Sequence, residues 1–325
     1  MTNHRKILVT GARGFIGAWV CRLLLEEGVE VVAFDASDDP KSVDAVMTTG
    51  QSAEVQFVTG DVRNADLLDS IVGNSVTHVI HLAGMLMPAS EQRPALSAEV
   101  SLGGLINVLQ CATKRAGELG ISYASTGAIY GPGALYPGGV ITPESRPAPQ
   151  KHYGVHRYMM ELTAGVWASQ HHVGSIGLRP WIVYGAGRFK GASAEPSVAM
   201  LAAAADKPFR IGFGGEMLVH HVRDVARAFI AAACARCTTA VAANIPAETI
   251  DMNEMLELIF QAAPLARGKI TIAPVAFDIP SRLNDPTLER IIGPITSPTA
   301  ARIAETVEDY RLLLSQGRVS LPSRE

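Results

Sequence analysis

Three glycines near the start of the chain have the spacing of a phosphate-binding turn. Gly11, Gly14 and Gly17 follow the apolar run of residues 7–9. An apolar-faced segment comes next and ends at Gly28, so the order predicts a strand, a glycine turn and a helix. Glycine permits the tight turn, the approach of the backbone to a pyrophosphate and close packing of the helix on the strand. The N–H groups at the start of that helix would bind phosphate.

An acidic residue after the second apolar run has the position of a ribose ligand. Residues 29–34 predict a strand, and Asp35 follows it. A carboxylate about 20 residues beyond the glycine turn accepts a hydrogen bond from the ribose 2′-hydroxyl of NAD. The same carboxylate would repel the 2′-phosphate of NADP. Asp35 therefore predicts a dinucleotide site that takes NAD.

The elements that must position this site alternate along the first half of the chain. After an irregular stretch to about residue 53, the sequence predicts strands at residues 55–58, 77–81, 121–126 and 175–179, and helices at residues 66–72, 94–118 and 153–170. Such alternation is typical of a parallel sheet with helices on both faces and ligands at the carboxyl ends of the strands. The predicted fold is α/β, a Rossmann-type doubly wound parallel sheet with a smaller C-terminal substrate-binding lobe.

The alternation ends at Tyr184, which suggests a division of the chain. Residues 1–184 would form the NAD-binding domain, and residues 216–246 would return to it through a helix and a strand at 241–245. Residues 185–215 and 247–325 would form the substrate-binding lobe, with an alanine-rich helix in the first part and helices at 253–263 and 300–314 in the second.

Composition excludes several classes of protein. The 325 residues are 48% hydrophobic, which is enough for a large core, and the formal net charge of −3 indicates neither a nucleic-acid nor a membrane partner. The start of the chain leaves no room for a signal peptide, and no uncharged apolar run of about 18 residues occurs. Four cysteines are too few for a disulfide framework, so we expect a soluble, cytoplasmic protein. Cys234 and Cys237 lack a second pair and are interpreted as a helix end, so no metal is expected.

Several further motifs occur in the order and spacing of one known family. They are Thr10-Gly-x-x-Gly-x-x-Gly17, Gly60-Asp61-Val62, His81-Leu-Ala-Gly84, Ser125-Thr126 before Tyr130-Gly131, Tyr153-Gly154 and Leu178-Arg179-Pro180. In these motifs the chain resembles the extended short-chain dehydrogenase/reductase family, the NAD-dependent epimerase/dehydratase group, from residue 6 to about residue 258.

The resemblance implies hydride transfer between a carbinol carbon and nicotinamide. Tyr153 would be the base, and Thr126, with Ser125 beside it, would hold the substrate oxygen. Tyr130 would line the pocket from a loop. The family has lysine four residues after its tyrosine, where this chain has Arg157. Arginine on the same helix face would still stabilise a phenolate and bind ribose hydroxyls, but it cannot release a proton as lysine can.

The resemblance also implies the residues that line the cofactor site. Ser101 belongs to this set, although the family usually has asparagine at its position. Besides Asp35, Tyr153 and Arg157, the expected residues are Gly11, Arg13, Gly14, Phe15, Ile16, Gly17, Asp61, Val62, Leu82, Ala83, Gly84, Ser101 and Pro180.

Other departures from the family concern the substrate. Nucleotide-sugar enzymes of the group grip a diphosphate with an asparagine and an arginine, where this chain has Ile182 and Met217. Arg188, Lys190 or Arg223 could compensate, but the missing grip favours a smaller substrate such as a sugar acid, a polyol or a hydroxy acid. Dehydratases of the group carry Asp-Glu where this chain has Gly127-Ala128, which argues against elimination of water.

We therefore expect an NAD-dependent oxidoreductase that acts on a secondary alcohol or ketone of a small polyhydroxylated substrate. An epimerase that retains its NAD is the alternative, and a non-catalytic NAD-binding sensor is a third because of Arg157. The family often dimerises through the helices near residues 94–118 and 153–170, so a homodimer is expected, with a small-molecule substrate and no nucleic-acid or membrane partner.

Overall fold

Parallel strands form the centre of the molecule. The computed structural model describes residues 5–115, 117–295 and 297–322. Its strands are β1 (Lys6–Thr10), β2 (Glu30–Asp35), β3 (Gln56–Thr59), β4 (His78–His81), β5 (Gly120–Ala124), β6 (Val140–Ile141), β7 (Ser175–Arg179), β8 (Ile182–Tyr184), β9 (Phe209–Ile211), β10 (Glu216–His221), β11 (Ala240–Asn244), β12 (Glu248–Asp251), β13 (Ile270–Ile272) and β14 (Arg282–Leu283). The central sheet has seven strands in the order β11-β7-β5-β4-β1-β2-β3, and each was predicted from the sequence.

Helices cover this sheet and connect its strands. They are α1 (Phe15–Glu26), α2 (Lys41–Val46), α3 (Thr49–Ala53), α4 (Ala65–Val72), α5 (Ala89–Gln92), α6 (Pro94–Ala98), α7 (Gly104–Lys114), α8 (His152–His171), α9 (Glu195–Ala204), α10 (Val222–Ala235), α11 (Met252–Ala262), α12 (Thr287–Ile292) and α13 (Thr299–Ser315). A π-helical segment, Glu99–Gly103, joins α6 to α7, so the predicted long helix is built from three consecutive helical segments. It ends at Lys114 rather than near residue 118.

The strand order reverses between β1 and β4. From β1 the chain builds outward through β2 and β3, and it then returns to place β4 on the other side of β1, with Thr10 paired to His81 at the carboxyl ends. All the pairings in this sheet are parallel. In such a doubly wound sheet, a crevice for ligands opens where the order reverses. The predicted fold class is confirmed.

The apolar run of β1 supplies both sides of the core. Side chains of a strand point alternately to opposite faces. Ile7 and Val9 pack into one cluster with Trp19 of α1, and Leu8 packs into a second cluster with Leu105 of α7. All five side chains are fully buried. The apolar run of residues 7–9 is therefore required, because neither face of the strand meets solvent there.

The stretch after Asp35 differs from its prediction. Residues 36–53 were expected to be irregular, but α2 and α3 lie within them. Thr48 begins α3 as a capping box, since its hydroxyl accepts from the backbone N–H of Gln51 and the Gln51 side chain accepts from the N–H of Thr48. The Thr-x-x-Gln spacing was the signal that the prediction missed.

The small sheets outside the central sheet were largely unpredicted. β10 lies between β8, to which it is parallel, and β12, to which it is antiparallel. β9 pairs with β13, and β6 pairs with β14. Because β11 belongs to the central sheet, the chain does return there after residue 216, whereas the predicted division into domains at residues 184, 216 and 246 stays a prediction.

The stretch from α6 to α7 is apolar for a reason of packing. Within the described part of the chain, Pro94–Lys114 is long and apolar enough to cross a membrane by length and composition alone. The structure packs it instead against α4 and α8, with Leu105, Val108 and Leu109 fully buried. Its hydropathy is that of a core helix.

Candidate active site

A single long cleft collects most of the predicted residues. Its volume is about 1070 Å³, and it opens at the carboxyl ends of β1 to β5 and β7. All the residues predicted to bind cofactor or to act in catalysis line it except Ser101. Ser101 is 1% exposed and is not part of the cleft wall.

The glycine turn forms a tight cradle at one end of the cleft. Gly11 has a φ of +71°, and a Cβ there would lie 2.8 Å from the backbone nitrogen of Ala83. A Cβ at Gly17 would collide with the carbonyl oxygen of Gly11. Side chains at these positions would push α1 away from β1 and from the loop after β4. The geometry matches a turn that brings backbone N–H groups to a pyrophosphate.

Asp35 is held at the same turn by two backbone groups. Its Oδ2 accepts from the N–H of Arg13 at 2.9 Å, and its Oδ1 accepts from the N–H of Ser37 at 2.9 Å. A carboxylate retains acceptor capacity beyond two hydrogen bonds. Asp35 is thus fixed at the rim of the glycine turn, where a ribose hydroxyl would donate to it.

The predicted adenine end is built by Asp61 and Val62. Arg63 donates to Asp61 from its guanidinium at 2.7 Å, and this hydrogen bond holds the pKa of Asp61 below its ordinary value. Asn107 of α7 donates to the carbonyl oxygen of Val62 at 2.8 Å. The loop after β3 is therefore fixed from both sides before any ligand binds.

Tyr153 lies in the first turn of α8, where an acidic residue caps the helix. The two carboxylate oxygens of Glu91 accept from the backbone N–H groups of His152 (3.2 Å) and Tyr153 (3.0 Å). Burial alone would raise the pKa of Glu91, but these hydrogen bonds outweigh it and hold the pKa below its usual range. Lys151 at the N-cap position makes no side-chain capping bond. Glu91 replaces that local cap from a distant part of the chain.

Arg157 lies one turn further along α8 and is 2% exposed. Its Cζ is 5.5 Å from the centre of the Tyr153 ring, and its Nη1 donates to the carbonyl oxygen of Ala124 at 2.7 Å. A Cβ at Gly84 would collide with the guanidinium, so glycine at that position makes room for arginine. Among the described residues, Nε of Arg157 has no hydrogen-bond partner and no carboxylate lies within 4 Å of the group.

The hydroxyl groups of Ser125 and Thr126 differ in their hydrogen bonds. Ser125 donates to Oε1 of Glu161 at 2.5 Å. Thr126 accepts from the backbone N–H of Ala128 at 3.2 Å, which leaves its own O–H proton available. Both line the cleft, but Thr126 alone of the pair keeps a donor for a ligand oxygen.

Glu161 starts a buried polar chain that the sequence did not reveal. It forms an ion pair with Arg179 at 2.6 Å, and Arg179 donates to the hydroxyl of Tyr130 at 2.8 Å. Asn244 donates to the same hydroxyl at 2.9 Å and to Oδ2 of Asp285 at 2.8 Å. The spacing Tyr153, Arg157, Glu161 was the available signal, because residues four apart share one helix face.

Tyr130 is placed differently from its prediction. It was expected to line the pocket, but it is 1% exposed and is not part of the cleft wall. Its ring stacks on Trp181 with 5.7 Å between the centroids, and burial raises the pKa of its hydroxyl. Trp181 lines the cleft in its place.

The three cations that could replace the missing diphosphate grip lie in different surroundings. Arg188 and Lys190 line the cleft, whereas Arg223 pairs with Glu305 at 3.0 Å and is not part of the cleft wall. Ile182 faces the cleft and Met217 is fully buried. No group of three His, Cys, Asp or Glu side chains comes together as a metal site within the described residues.

The chain matches one family model and a set of curated proteins. The model described as "NAD dependent epimerase/dehydratase family" matches residues 7–242. The CDP-paratose 2-epimerase of Salmonella typhi is 30% identical over 128 residues, which are 39% of this chain and 38% of that protein. The UDP-glucose 4-epimerase of Azospirillum brasilense is 30% identical over 183 residues, 56% of this chain and 50% of that protein. The chain spans about half or less of the length of these curated relatives.

Solved structures share the fold over nearly the whole chain. The UDP-glucose 4-epimerase of Thermotoga maritima with UDP-glucose has a TM-score of 0.80 at 22% identity and covers 95% of this chain and 99% of its own. The UDP-glucose 4-epimerase of Thermus thermophilus, in complex with NAD, has a TM-score of 0.77 at 25% identity and covers 94% and 99%.

The Glu91 cap gives a prediction about stability. We expect Glu91→Ala to lower the free energy of unfolding by about 1 kcal/mol, because two N–H groups of α8 lose their acceptor. The folded pKa of Glu91 is lowered, so its contribution is present above the unfolded carboxyl value of about 4.3 and is lost as the pH falls through the folded value. Urea unfolding at several pH values measures both effects. Gln92→Ala, an exposed neighbour, is the control, and equal stability of the two variants at neutral pH would contradict the cap.

Proposed function

The chain belongs to the NAD-dependent epimerase/dehydratase family, and we propose that it transfers a hydride between NAD and a secondary alcohol or ketone of a small substrate. The observation that carries the proposal is the meeting of Tyr153, Thr126 and Arg157 in the cleft that also holds the glycine turn. The sequence prediction of a small polyhydroxylated substrate, namely a sugar acid, a polyol or a hydroxy acid, defines the proposed range.

The residues present fit NAD. The cradle of Gly11, Gly14 and Gly17 would bind the pyrophosphate, and Asp35 would accept from the adenosine ribose. Asp61 and Val62 would contact the adenine, and Arg157 would donate to the nicotinamide ribose. Its position in the cleft wall, one turn beyond Tyr153, supports that role. When bound, NAD supplies the acceptor for a hydride.

Side chains of this chain would position the substrate oxygen, accept its proton and stabilise the charge of the base. Thr126 donates a hydrogen bond to the substrate oxygen and fixes its position, because its O–H is not engaged elsewhere among the described residues. Tyr153 takes the hydroxyl proton as a general base. Arg157 stabilises the phenolate form in which Tyr153 accepts that proton, and the guanidinium keeps its own proton throughout. The proton that Tyr153 has accepted must therefore leave through a ribose hydroxyl or water.

A retaining epimerase is the second candidate, because the curated relatives are nucleotide-sugar epimerases. It would use the same residues and return the hydride to the opposite face of the substrate. Purified protein that carries stoichiometric NAD and forms product without net NADH would favour this candidate, whereas accumulation of NADH favours the dehydrogenase.

A homodimer is proposed from an exposed apolar stripe on α8. Met159, Leu162 and Val166 are 40%, 53% and 50% exposed and share one face at helical spacing. The helix packs beside α7, where Trp167 donates to the hydroxyl of Thr113 at 3.0 Å. Pairing of this face between two copies would bury the stripe. A cytoplasmic location is likewise proposed, from the use of cysteine.

The base assignment predicts a selective loss of turnover. We expect Tyr153→Phe to lower kcat by about 100-fold or more, since only the phenolic oxygen is removed. NAD affinity should change little, because the ring remains. Steady-state kinetics and calorimetric titration of NAD measure the two effects. Tyr158→Phe, on the same helix but outside the cleft, should be active, and full activity of Tyr153→Phe would refute the assignment.

Substitutions at Arg157 distinguish an enzyme from a sensor that binds NAD without turnover. We expect Arg157→Met to lower kcat by about 100-fold, because the phenolate loses its cation, and Arg157→Lys to stay within about tenfold of the native rate. If the protein is an enzyme, we expect the native chain to oxidise an alcohol or to epimerise a sugar. A native protein that binds NAD but is inert, together with an active Arg157→Lys variant, would establish the sensor instead.

The apolar stripe gives a prediction about assembly. We expect the native chain to sediment at twice its monomer mass and Leu162→Asp to sediment as a monomer, because a charge at the centre of the stripe opposes its burial. Leu312→Asp is the matched control, since Leu312 is 55% exposed on α13, away from the stripe. Equal masses for the two variants would exclude this interface.

A further inference from the structure

The indole of Trp181 lies beside the residue that follows Thr126. Trp181 lies between β7 and β8 and is part of the cleft wall. A Cβ at Gly127 would lie 2.5 Å from Cε3 and 2.6 Å from Cδ2 of the indole, so the ring packs directly against the backbone there. The N–H of Gly127 also donates to the carbonyl oxygen of Pro180 at 2.9 Å. These contacts place the indole next to the hydroxyl group that would bind the substrate oxygen.

The ring is held from behind by a stack and from its own backbone. The indole and the phenol ring of Tyr130 are parallel within 3°, with 5.7 Å between their centroids. Arg179 and Asn244 donate to the hydroxyl of Tyr130 at 2.8 and 2.9 Å, so the phenol ring is fixed in turn. The backbone N–H of Trp181 donates to Nε2 of His220 at 3.0 Å. The plane of the indole is therefore set before any ligand binds.

Carbon is what this ring offers to the cleft. Trp181 is half-buried, and one face of its indole is covered by Tyr130. Its Nε1 is buried without a partner among the described residues, so the ring surface left for a ligand consists of carbon. Gly127 and Ala128, which line the cleft beside it, carry no polar side chain. A hydroxyl group placed against this surface would lose its hydrogen bonds to water without replacement.

A sugar or cyclitol ring can meet both demands of this corner of the cleft. When its hydroxyl groups are equatorial, they project from the edge of the ring, and C–H bonds cover the two faces. One C–H face can pack on the flat indole while an edge hydroxyl reaches Thr126 and Tyr153. An open chain with a hydroxyl on each carbon turns polar groups to every side and has no such face.

We propose that Trp181 determines specificity by packing against the C–H face of a cyclic polyhydroxylated substrate whose edge hydroxyl binds Thr126. The inference rests on the proposed function and narrows its range to the ring forms of sugar acids and polyols. Trp181 takes no part in proton transfer in this scheme.

Binding can be measured apart from turnover. Protein saturated with NADH, which cannot oxidise an alcohol, is titrated in a calorimeter with two matched pairs of ligands. Glucuronate and gluconate carry the same charge, and myo-inositol and sorbitol are both neutral, but only the first of each pair is a ring. We expect the ring form to bind about 5- to 20-fold more tightly in at least one pair, the range for burying one small apolar face.

Variants of Trp181 assign the preference to this side chain. Trp181→Phe keeps a flat ring on Tyr130 and should retain most of the preference, whereas Trp181→Ala should bind ring and chain equally. If Trp181→Ala does not fold, Trp181→Leu takes its place, because leucine keeps apolar bulk without a flat face. NADH affinity should be unchanged in these variants. Trp167→Ala, which removes a half-buried tryptophan outside the cleft, is the matched control and should keep the preference.

A substitution at the neighbouring glycine tests the same contact without changing Trp181. In Gly127→Ala the added methyl group would collide with the indole, so we expect the ring to be displaced and the preference for the cyclic ligand to fall. An unchanged preference in this variant would count against the packing of the substrate on the indole.

Three further results would overturn the proposal. They are the absence of a preference for the ring form in both pairs, a preference that survives in Trp181→Ala or Trp181→Leu, and loss of NADH affinity in the folded variant. The last would assign the indole to the cofactor. Reduction of NAD is followed separately, so binding of the ring form without any hydride transfer would count against the proposed function and not against the role of Trp181.

Discussion

The buried guanidinium of Arg157 is the contact on which the candidate site depends. It touches Tyr153 on its own helix, the carbonyl oxygen of Ala124 at the end of β5, and the backbone at Gly84 after β4. A large planar cation fits there only because residue 84 has no side chain. The guanidinium therefore sets the distance between α8 and the sheet, and with it the place of Tyr153 in the cleft. Nε of the same group has no partner among the described residues.

The same face of α8 links the reacting residues to the rest of the molecule. Glu161 lies one turn beyond Arg157 and joins Ser125 to Arg179. The chain of hydrogen bonds continues through Tyr130 and Asn244 to Asp285, far along the sequence. Hydrogen bonds and an ion pair of this kind hold the elements that carry them in one arrangement, although Oδ1 of Asn244 has no partner among the described residues. The helix thus carries Tyr153 and Arg157 and, through Glu161, also holds the hydroxyl of Ser125.

The two ends of the cleft arise in different ways. The cofactor end is made mostly by backbone at the carboxyl ends of parallel strands, with glycine where the chain must approach closely. The substrate end is made by side chains from loops after β4 and β7 and from the C-terminal part of the chain. Its lining is mainly apolar. Cofactor binding therefore belongs to the fold, whereas substrate choice belongs to the loops.

The sequence by itself determined the central sheet, the glycine turn and the helix that carries Tyr153 and Arg157. These features depend on local rules, namely glycine where a side chain would collide, apolar runs for buried strands, and a four-residue step along one helix face. The capping box at Thr48 obeys a local rule as well, and a closer reading of the sequence would have found it.

Only the tertiary structure decided which side chains meet. Glu91 caps Tyr153 across 62 residues, Tyr130 turns into the core, and Ser101 stays buried away from the cleft. Arg188 lies in the cleft with no carboxylate of the described residues within 4 Å, while Arg223 pairs with Glu305. Such outcomes depend on the distances between chain segments remote in sequence, and burial and charge pairing are set by those distances. No spacing along the chain encodes them.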